Sequence, residues 1–289
     1  MYDLCMKKLS LLKSVIFSHF RSHELMQRNF EFLIIKEWGL WPERNKNPLT
    51  RNPRRYFSQS DEDGILEKIL IRLGIDSNGK ILEFGVGDGR ENNSLALISK
   101  GWGSYWVGDE EIYFPFPMSS KNFHKKVWIT LDNLLEVTNE AFNKLEVKNS
   151  NIDIVSMDLD GNDWHFVSKL LEEAVYPAVW ICEYNSKFPP GASWVMPYDA
   201  NHIGGGNDFY GASYTAFVNL FKTHHYIPVA CSVQGANIFF VRNSDKEFFK
   251  DVELSDQELY QPPLFYLAPK WGHTKSKRTL ESIFLSTNK

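Results

Sequence analysis

The chain is poor in three things. Of 289 residues only three are cysteine, Cys5, Cys182 and Cys231, set far apart with no CxxC pair. Neither a zinc knuckle nor a disulfide framework is indicated, and reduced thiols of a cytoplasmic protein are the expected state. There is no surplus of basic residues: 32 Lys plus Arg stand against 36 Asp plus Glu, a net charge of −4. Non-specific nucleic-acid binding, which needs such a surplus against phosphates, is therefore not expected. Long apolar runs are missing as well. The best stretch, residues 9–20, is interrupted by Lys13, Ser14, Ser18 and His19 and falls far short of the ~20 apolar residues of a membrane span. No small-residue cleavage site follows it, so neither a membrane span nor a signal peptide is expected. Within it Leu9, Leu12, Ile16 and Phe20 recur at helical spacing. That stripe predicts an amphipathic helix packed on the protein's own core or on a second copy, a homo-oligomer formed through the N-terminal extension.

What the chain has in plenty is aromatic side chains, 15% of residues, in a composition that is 43% hydrophobic and 24% charged. That is a globular composition, long enough for one large domain or one domain with extensions. Residues 1–55 read as two helical segments, the second over 23–38, then an irregular basic link with Pro48, Pro53, Arg44, Lys46, Arg51, Arg54 and Arg55. Residues 56–243 carry a regular alternation. Ser60 with Asp63 three places on suggests a capping box, and Ile65, Leu66, Ile69, Leu70 and Leu73 form one apolar helix face closed by Gly74. Strands are predicted over 80–84, 104–107, 126–129, 152–157 and 178–182, with helices over 93–100, 133–145, 163–173 and 210–224. A last hairpin spans 226–231 and 237–242. Strands alternating with helices imply an α/β, Rossmann-like fold with a mostly parallel sheet. Residues 244–289 form a less patterned C-terminal extension, with a helix predicted over 279–285.

The segment Ile81-Leu82-Glu83-Phe84-Gly85-Val86-Gly87-Asp88-Gly89 carries the most chemistry. An acid ends a buried strand and three glycines follow, letting a cofactor approach main chain without meeting a Cβ. The dinucleotide fingerprint places its third glycine one residue later, where this chain has Arg90. The loop therefore disfavours NAD and favours a cofactor without phosphates, and S-adenosylmethionine fits. Asp109 and Glu110, about 25 residues further on at the end of the second strand, are placed for ribose hydroxyls.

The order ILEFGVGDG, YWVGDE, IDIVSMDLDG and NIFFVR resembles class I S-adenosylmethionine-dependent methyltransferases. Within them, residues 57–64, FSQSDEDG, are similar to the FkbM-type group. The resemblance spans about residues 56–243. It implies a seven-stranded sheet of order 3-2-1-4-5-7-6 with strand seven antiparallel. It also implies that Glu83, Gly85, Gly87 and Gly89 surround the methionine part, that Asp109 or Glu110 takes the ribose, and that Gln59 and Asp61 close over the cofactor.

Strand four ends in Asp158-Leu159-Asp160-Gly161-Asn162-Asp163 and strand five in Glu183-Tyr184-Asn185. Carboxylates converging there would raise one another's pKa, and a magnesium-like ion with oxygen ligands would neutralise them. This arrangement resembles metal-dependent O-methyltransferases, on which Asp158 or Asp160 joins Glu183 and Asn185 as ligands. Tyr184 separates the acid from the amide, a departure from that pattern, and FkbM-type relatives carry acids after strand four with no metal implied. For a base, His165, His202 and a carboxylate, Asp160 or Glu183, all qualify. The long loop at 187–208 is predicted to be a substrate lid, with Tyr184, Trp194 and Tyr198 facing a small polar or glycan-like acceptor. The expected activity is O-methylation, with N-methylation of another metabolite or a non-catalytic binding module as alternatives.

Overall fold

The computed structural model describes residues 2–75, 77–148, 152–204, 206–265 and 276–286, with side chains described at residue 18 and from residue 21 onward. It opens with one long helix, α1 (Tyr2–Arg44). The sequence suggested two segments, the second over 23–38, and an irregular link after them. The helix instead runs through Pro42, because a proline in the final turn removes one hydrogen bond, and Asn45 N–H still donates to the Trp41 carbonyl at 2.9 Å. The stripe of Leu9, Leu12, Ile16 and Phe20 lies outside the described side chains. None of the described helices is long and apolar enough to cross a membrane.

The apolar runs of the middle region become strands: β1 (Lys80–Phe84), β2 (Gly103–Gly108), β3 (Asn122–Lys126), β4 (Ile154–Met157), β5 (Val179–Glu183), β6 (Tyr226–Cys231) and β7 (Asn237–Arg242). They form one sheet of order β3-β2-β1-β4-β5-β7-β6. The first five are parallel, and β7 runs antiparallel between β5 and β6. Helices alternate with these strands along the chain: α2 (Glu62–Leu73) ahead of β1, then α3 (Leu95–Ile98), α4 (Leu134–Leu145), α5 (Asp163–Glu172) and α6 (Tyr214–Thr223) between successive strands. The central strands are buried on both sides, which is why they read as continuous apolar runs rather than alternations. Trp180, Phe221 and Phe240 pack together in this core, the two phenyl rings stacked at 3.9 Å.

Two boundaries moved, and both matter for the cleft described below. β3 covers Asn122–Lys126, four residues earlier than expected, because an edge strand tolerates the polar pattern of Asn122, His124 and Lys126. The apolar Val127, Trp128 and Ile129 then fall in the loop that leaves the sheet. α6 begins at Tyr214, not at 210, because the Ser213 hydroxyl caps it by accepting from Ala216 N–H at 3.2 Å. The expected capping box on α2 is also absent in that form. Asp61 is the N-cap, and Asp63 instead accepts from the backbone N–H groups of Tyr56, Phe57 and Ser58.

Beyond the sheet lie a 3-10 stretch (Asn243–Val252), α7 (Asp256–Leu259) and α8 (Lys277–Ser286). Leu280, Ile283 and Phe284 of α8 pack on Trp106, Phe114, Val86 and Leu95, behind the glycine loop. Cys182 and Cys231 are free, buried thiols.

Candidate functional site

At the carboxyl ends of the strands, where ligands of open α/β sheets bind, the loops enclose a cleft of about 510 Å³. That volume lies within the roughly 300–1,000 Å³ of small-molecule sites. Gly85 and Gly87 line it on one side, Gly108, Asp109 and Glu110 beside them, and Asp158, Asp160 and Glu183 form its floor. Gly85 is required by geometry. Its φ is +83°, and a Cβ there would lie 1.4 Å from the Asp158 carbonyl oxygen, so only glycine lets β1 and β4 close up at this point.

The floor is strongly acidic. One carboxylate oxygen each from Asp158, Asp160 and Glu183 lie within 4.8 Å of one another. Among the described residues lining the cleft, none is Lys or Arg. Burial pushes Asp158 and Glu183 well above the ordinary carboxylate range; the charges of Asp163 and Asp160 push both further, and Asp158 also pushes Glu183. Asp160 is raised by burial and pulled back by the imidazole of His202. The Asp160 backbone sits at φ +56°, a left-handed conformation that aspartate tolerates better than most residues. Asp163 is not part of the floor. Its carboxylate accepts from Leu159 N–H at 2.7 Å and Gly161 N–H at 3.0 Å, and so shapes the loop that carries Asp160.

His202 lines the cleft, and its Nε2 is shielded from solvent with no hydrogen-bond partner among the described residues. Gly161 makes room for the ring, since a Cβ there would come within 2.3 Å of His202 Cδ2. His165 is elsewhere. Its Nε2 is 2.7 Å from the Met196 carbonyl and its ring packs against Trp164 and Tyr198, so it anchors the long loop.

Several other residues expected at the site do not line the cleft. Glu83 accepts from Asn93 N–H at 2.7 Å and from the backbone and hydroxyl of Ser94, holding the start of α3. Asp61 accepts from Val233 N–H at 2.8 Å and is fully buried, while Gln59 faces solvent. Gly89 is backed by Trp106, Ile112 and Phe114. Asn185 does not join the carboxylates: its Nδ2 donates to the carbonyls of Asp208 and Tyr210 at 2.8 and 3.0 Å, and its Oδ1 accepts from Lys187 N–H. Tyr184 is buried in the core with its hydroxyl on the Gln261 carbonyl. Trp194 stacks on Phe188 at 4.6 Å, and Tyr198 accepts from Leu131 N–H.

The aromatic surfaces of the cleft are instead Trp128, Phe166 and Tyr210. Trp128 is anchored by Nε1 to the Ala200 carbonyl at 2.8 Å. Burial, then the charges of Glu183 and Asp158, hold the Tyr210 hydroxyl protonated well above its ordinary range. The sequence hid Trp128 inside an apparent strand and Tyr210 inside an apparent helix. Ser213, a strong N-cap residue directly before Tyr214, was the signal that left Tyr210 in the loop.

The long loop is fixed rather than loose over most of its length. Asn162 donates to the Asp199 carbonyl at 2.7 Å and accepts from Asp199 N–H at 3.1 Å, and Val195 bridges to Ala212. The rim over the cleft, His202, Ile203, Gly204, Gly206 and Asn207, follows that anchored part.

No family model and no curated protein matches this chain. Among solved structures, one from Nostoc punctiforme, provisionally described as an O-methyltransferase, matches with a TM-score of 0.31 and 12% identity. The match covers 61% of this chain and 56% of that one, so the chain spans little more than half of that protein's length.

Proposed function

We propose that the chain is an S-adenosylmethionine-dependent methyltransferase of FkbM-like type, acting on a hydroxyl of a small polar or sugar-like acceptor. One observation carries the reading: the glycine loop and the acids ending β2 open into the same cleft as Asp158, Asp160, Glu183 and His202. The residues present suit the cofactor. Gly85 and Gly87 offer bare backbone, Asp109 and Glu110 offer acceptors for ribose hydroxyls, and the acidic floor suits a sulfonium cation. When bound, S-adenosylmethionine supplies an electrophilic methyl group.

The chain's own residues would do the rest. Trp128 and Tyr210 present flat faces to an acceptor, and His202, Ile203, Gly204, Gly206 and Asn207 of the rim help exclude water. His202 accepts the hydroxyl proton at Nε2, the atom without a protein partner. Asp160 beside it stabilises the imidazolium that forms. The approach of Asp158, Asp160 and Glu183 to within 4.8 Å also supports a second component, a divalent ion such as Mg²⁺ held by these three oxygens. It would supply charge neutralisation on the acceptor oxygen.

Calorimetry with S-adenosylmethionine and with NAD tests the cofactor; binding of NAD alone would overturn the reading. With an acceptor found from a panel of polyhydroxylated compounds, His202→Ala is expected to lower kcat by roughly 10²–10⁴-fold and leave cofactor affinity unchanged. Loss of turnover in EDTA, restored by Mg²⁺, is expected if the ion is bound; full activity in EDTA removes it from the scheme.

A further inference from the structure

The C-terminal helix α8 (Lys277–Ser286) lies outside the cleft, yet it packs on the parts that shape one end of it. Leu280, Ile283 and Phe284 recur at helical spacing and form its inner face, with Leu280 and Phe284 fully buried. The Phe284 ring meets Trp106 of β2 edge-on at 5.1 Å, and the rings of Phe114 and Phe116 at 5.7 and 4.7 Å. Phe114 and Phe116 belong to the segment that follows Asp109 and Glu110, the two acids that line the cleft beside the glycine loop.

Two residues of that segment, Pro115 and Pro117, have no N–H to donate, so more of its holding falls to side-chain packing. Its tie to the glycine loop is Tyr113, whose N–H donates to the Asp88 carbonyl at 2.8 Å. The Tyr113 ring also receives a cation from each neighbour. The Arg90 guanidinium, from the glycine loop, lies 4.7 Å from its centroid, and Lys277 Nζ, from the first residue of α8, lies 4.6 Å from it. The loop rests on the same aromatic layer at Gly89, where a Cβ would meet Trp106, Phe114 and Ile112 within 3.4 Å. A helix of ten residues is marginal in water by itself. The form of α8 and the seating of the segment it covers are thus two sides of one packing arrangement.

We infer that α8 is a positioning element of the cleft: docked, it holds residues 109–117 and the Asp88 corner of the glycine loop in the arrangement that receives the ribose end of the cofactor. Phe284 and Lys277 are its positioning residues, acting through Phe114, Phe116 and Tyr113 rather than by touching the ligand. The choice of ligand rests on the methyltransferase reading. Linkage makes the arrangement reciprocal: docking of α8 favours binding, and binding favours docking. A helix that only adds stability to the body lacks that coupling.

Titration calorimetry and amide exchange on the full chain test this, with S-adenosylmethionine and adenosine as probes. Phe284→Ala is expected to weaken both about tenfold, because the loss falls on the nucleoside half that they share. Lys277→Met leaves the apolar face of α8 whole. It is expected to weaken both about threefold at unchanged Tm, and Lys277→Arg to restore them. In the wild-type chain, saturating S-adenosylmethionine is expected to slow exchange of the α8 amides several-fold. Wild-type affinity in a folded Phe284→Ala protein would overturn the inference, and so would α8 exchange that is indifferent to bound ligand. Should the alanine variant not fold, the lysine variants decide, and undiminished affinity in Lys277→Met overturns it. Failure of the wild-type chain to bind S-adenosylmethionine would count against the underlying reading instead. The positioning role is then read without ligand from the Tyr113 amide, which is expected to exchange faster in Lys277→Met; an unchanged rate would overturn it.

Discussion

Glu83 shows how far a single residue can depart from the part its neighbours suggest. It ends β1 ahead of the glycines, the place of a cofactor ligand, yet its carboxylate turns back to the start of α3. Burial lifts its pKa to about 7, against the N–H and O–H donors of Asn93 and Ser94. A carboxyl that titrates higher in the folded chain than in the unfolded one holds its proton longer when folded. Its stabilising contribution is therefore complete below the ordinary Glu value and is lost as pH rises from there through about 7. For this group alone the loss is ~3 kcal/mol between pH 4 and pH 8. Buried Asp61, also raised to about 7 by burial, acts in the same direction. Thermal denaturation across that range is expected to give a lower Tm at pH 8 than at pH 5, and Glu83→Gln should flatten the profile. Parallel profiles for the two proteins would show that Glu83 does not titrate in this window. Asn185 teaches the same lesson. An amide near acids reads as a ligand, but the two carbonyls that claim its donor, Asp208 and Tyr210, are more than twenty residues away in the chain.

At the scale of elements, strands were far more legible than the loops that make the site. β1, β6 and β7 lie where the sequence put them, because buried strands and a tight hairpin leave continuous apolar runs and turn residues. Loop residues carry no period, so their partners were invisible until the fold brought Asn162 to Asp199 and Trp128 to Ala200. The predicted lid is the clearest case. Its aromatics, Phe188, Trp194 and Tyr198, do not line the cleft; Trp194 stacks on Phe188 and Tyr198 accepts from Leu131 N–H, contacts that stiffen the loop. What remains to cover the cleft is the short rim after Asp199, held at its base by the reciprocal pair with Asn162. Asn162→Ala removes both bonds. It is expected to leave cofactor affinity unchanged, raise amide exchange across residues 199–207, and lower kcat/KM by about tenfold. Unaltered exchange in that segment would mean the base is held by other contacts.

Across the whole molecule, the feature without a role inside the sheet domain is α1. At 1.5 Å per residue its 43 residues extend about 64 Å. Among its described side chains, Ile34 and Trp38, with Trp41 beside them, pack against Val233. Leu25, Met26, Phe30, Phe32, Leu33 and Ile35 are each about half exposed or more. An isolated large apolar side chain on a surface needs no explanation, but six within eleven residues of one helix form a patch of the kind that marks an interface. Burying each fully would be worth roughly 1.5–3 kcal/mol, so a few of them meeting the same patch on a second copy suffice for stable association. Among the described residues the aromatic load thus divides between core, loop packing, surface and this helix, with Trp128, Phe166 and Tyr210 left to the cleft. Sedimentation equilibrium on the full chain is expected to show self-association. Phe30→Glu with Leu33→Glu is expected to shift it to monomer at the same Tm, because neither residue belongs to a packed cluster of the body. A wild-type chain that stays monomeric at tens of micromolar would assign the patch to some other partner. Cofactor affinity distinguishes a further possibility. The cleft is closed by loops of one chain, so its affinity should be the same in the double variant, and a drop would mean that association shapes the site.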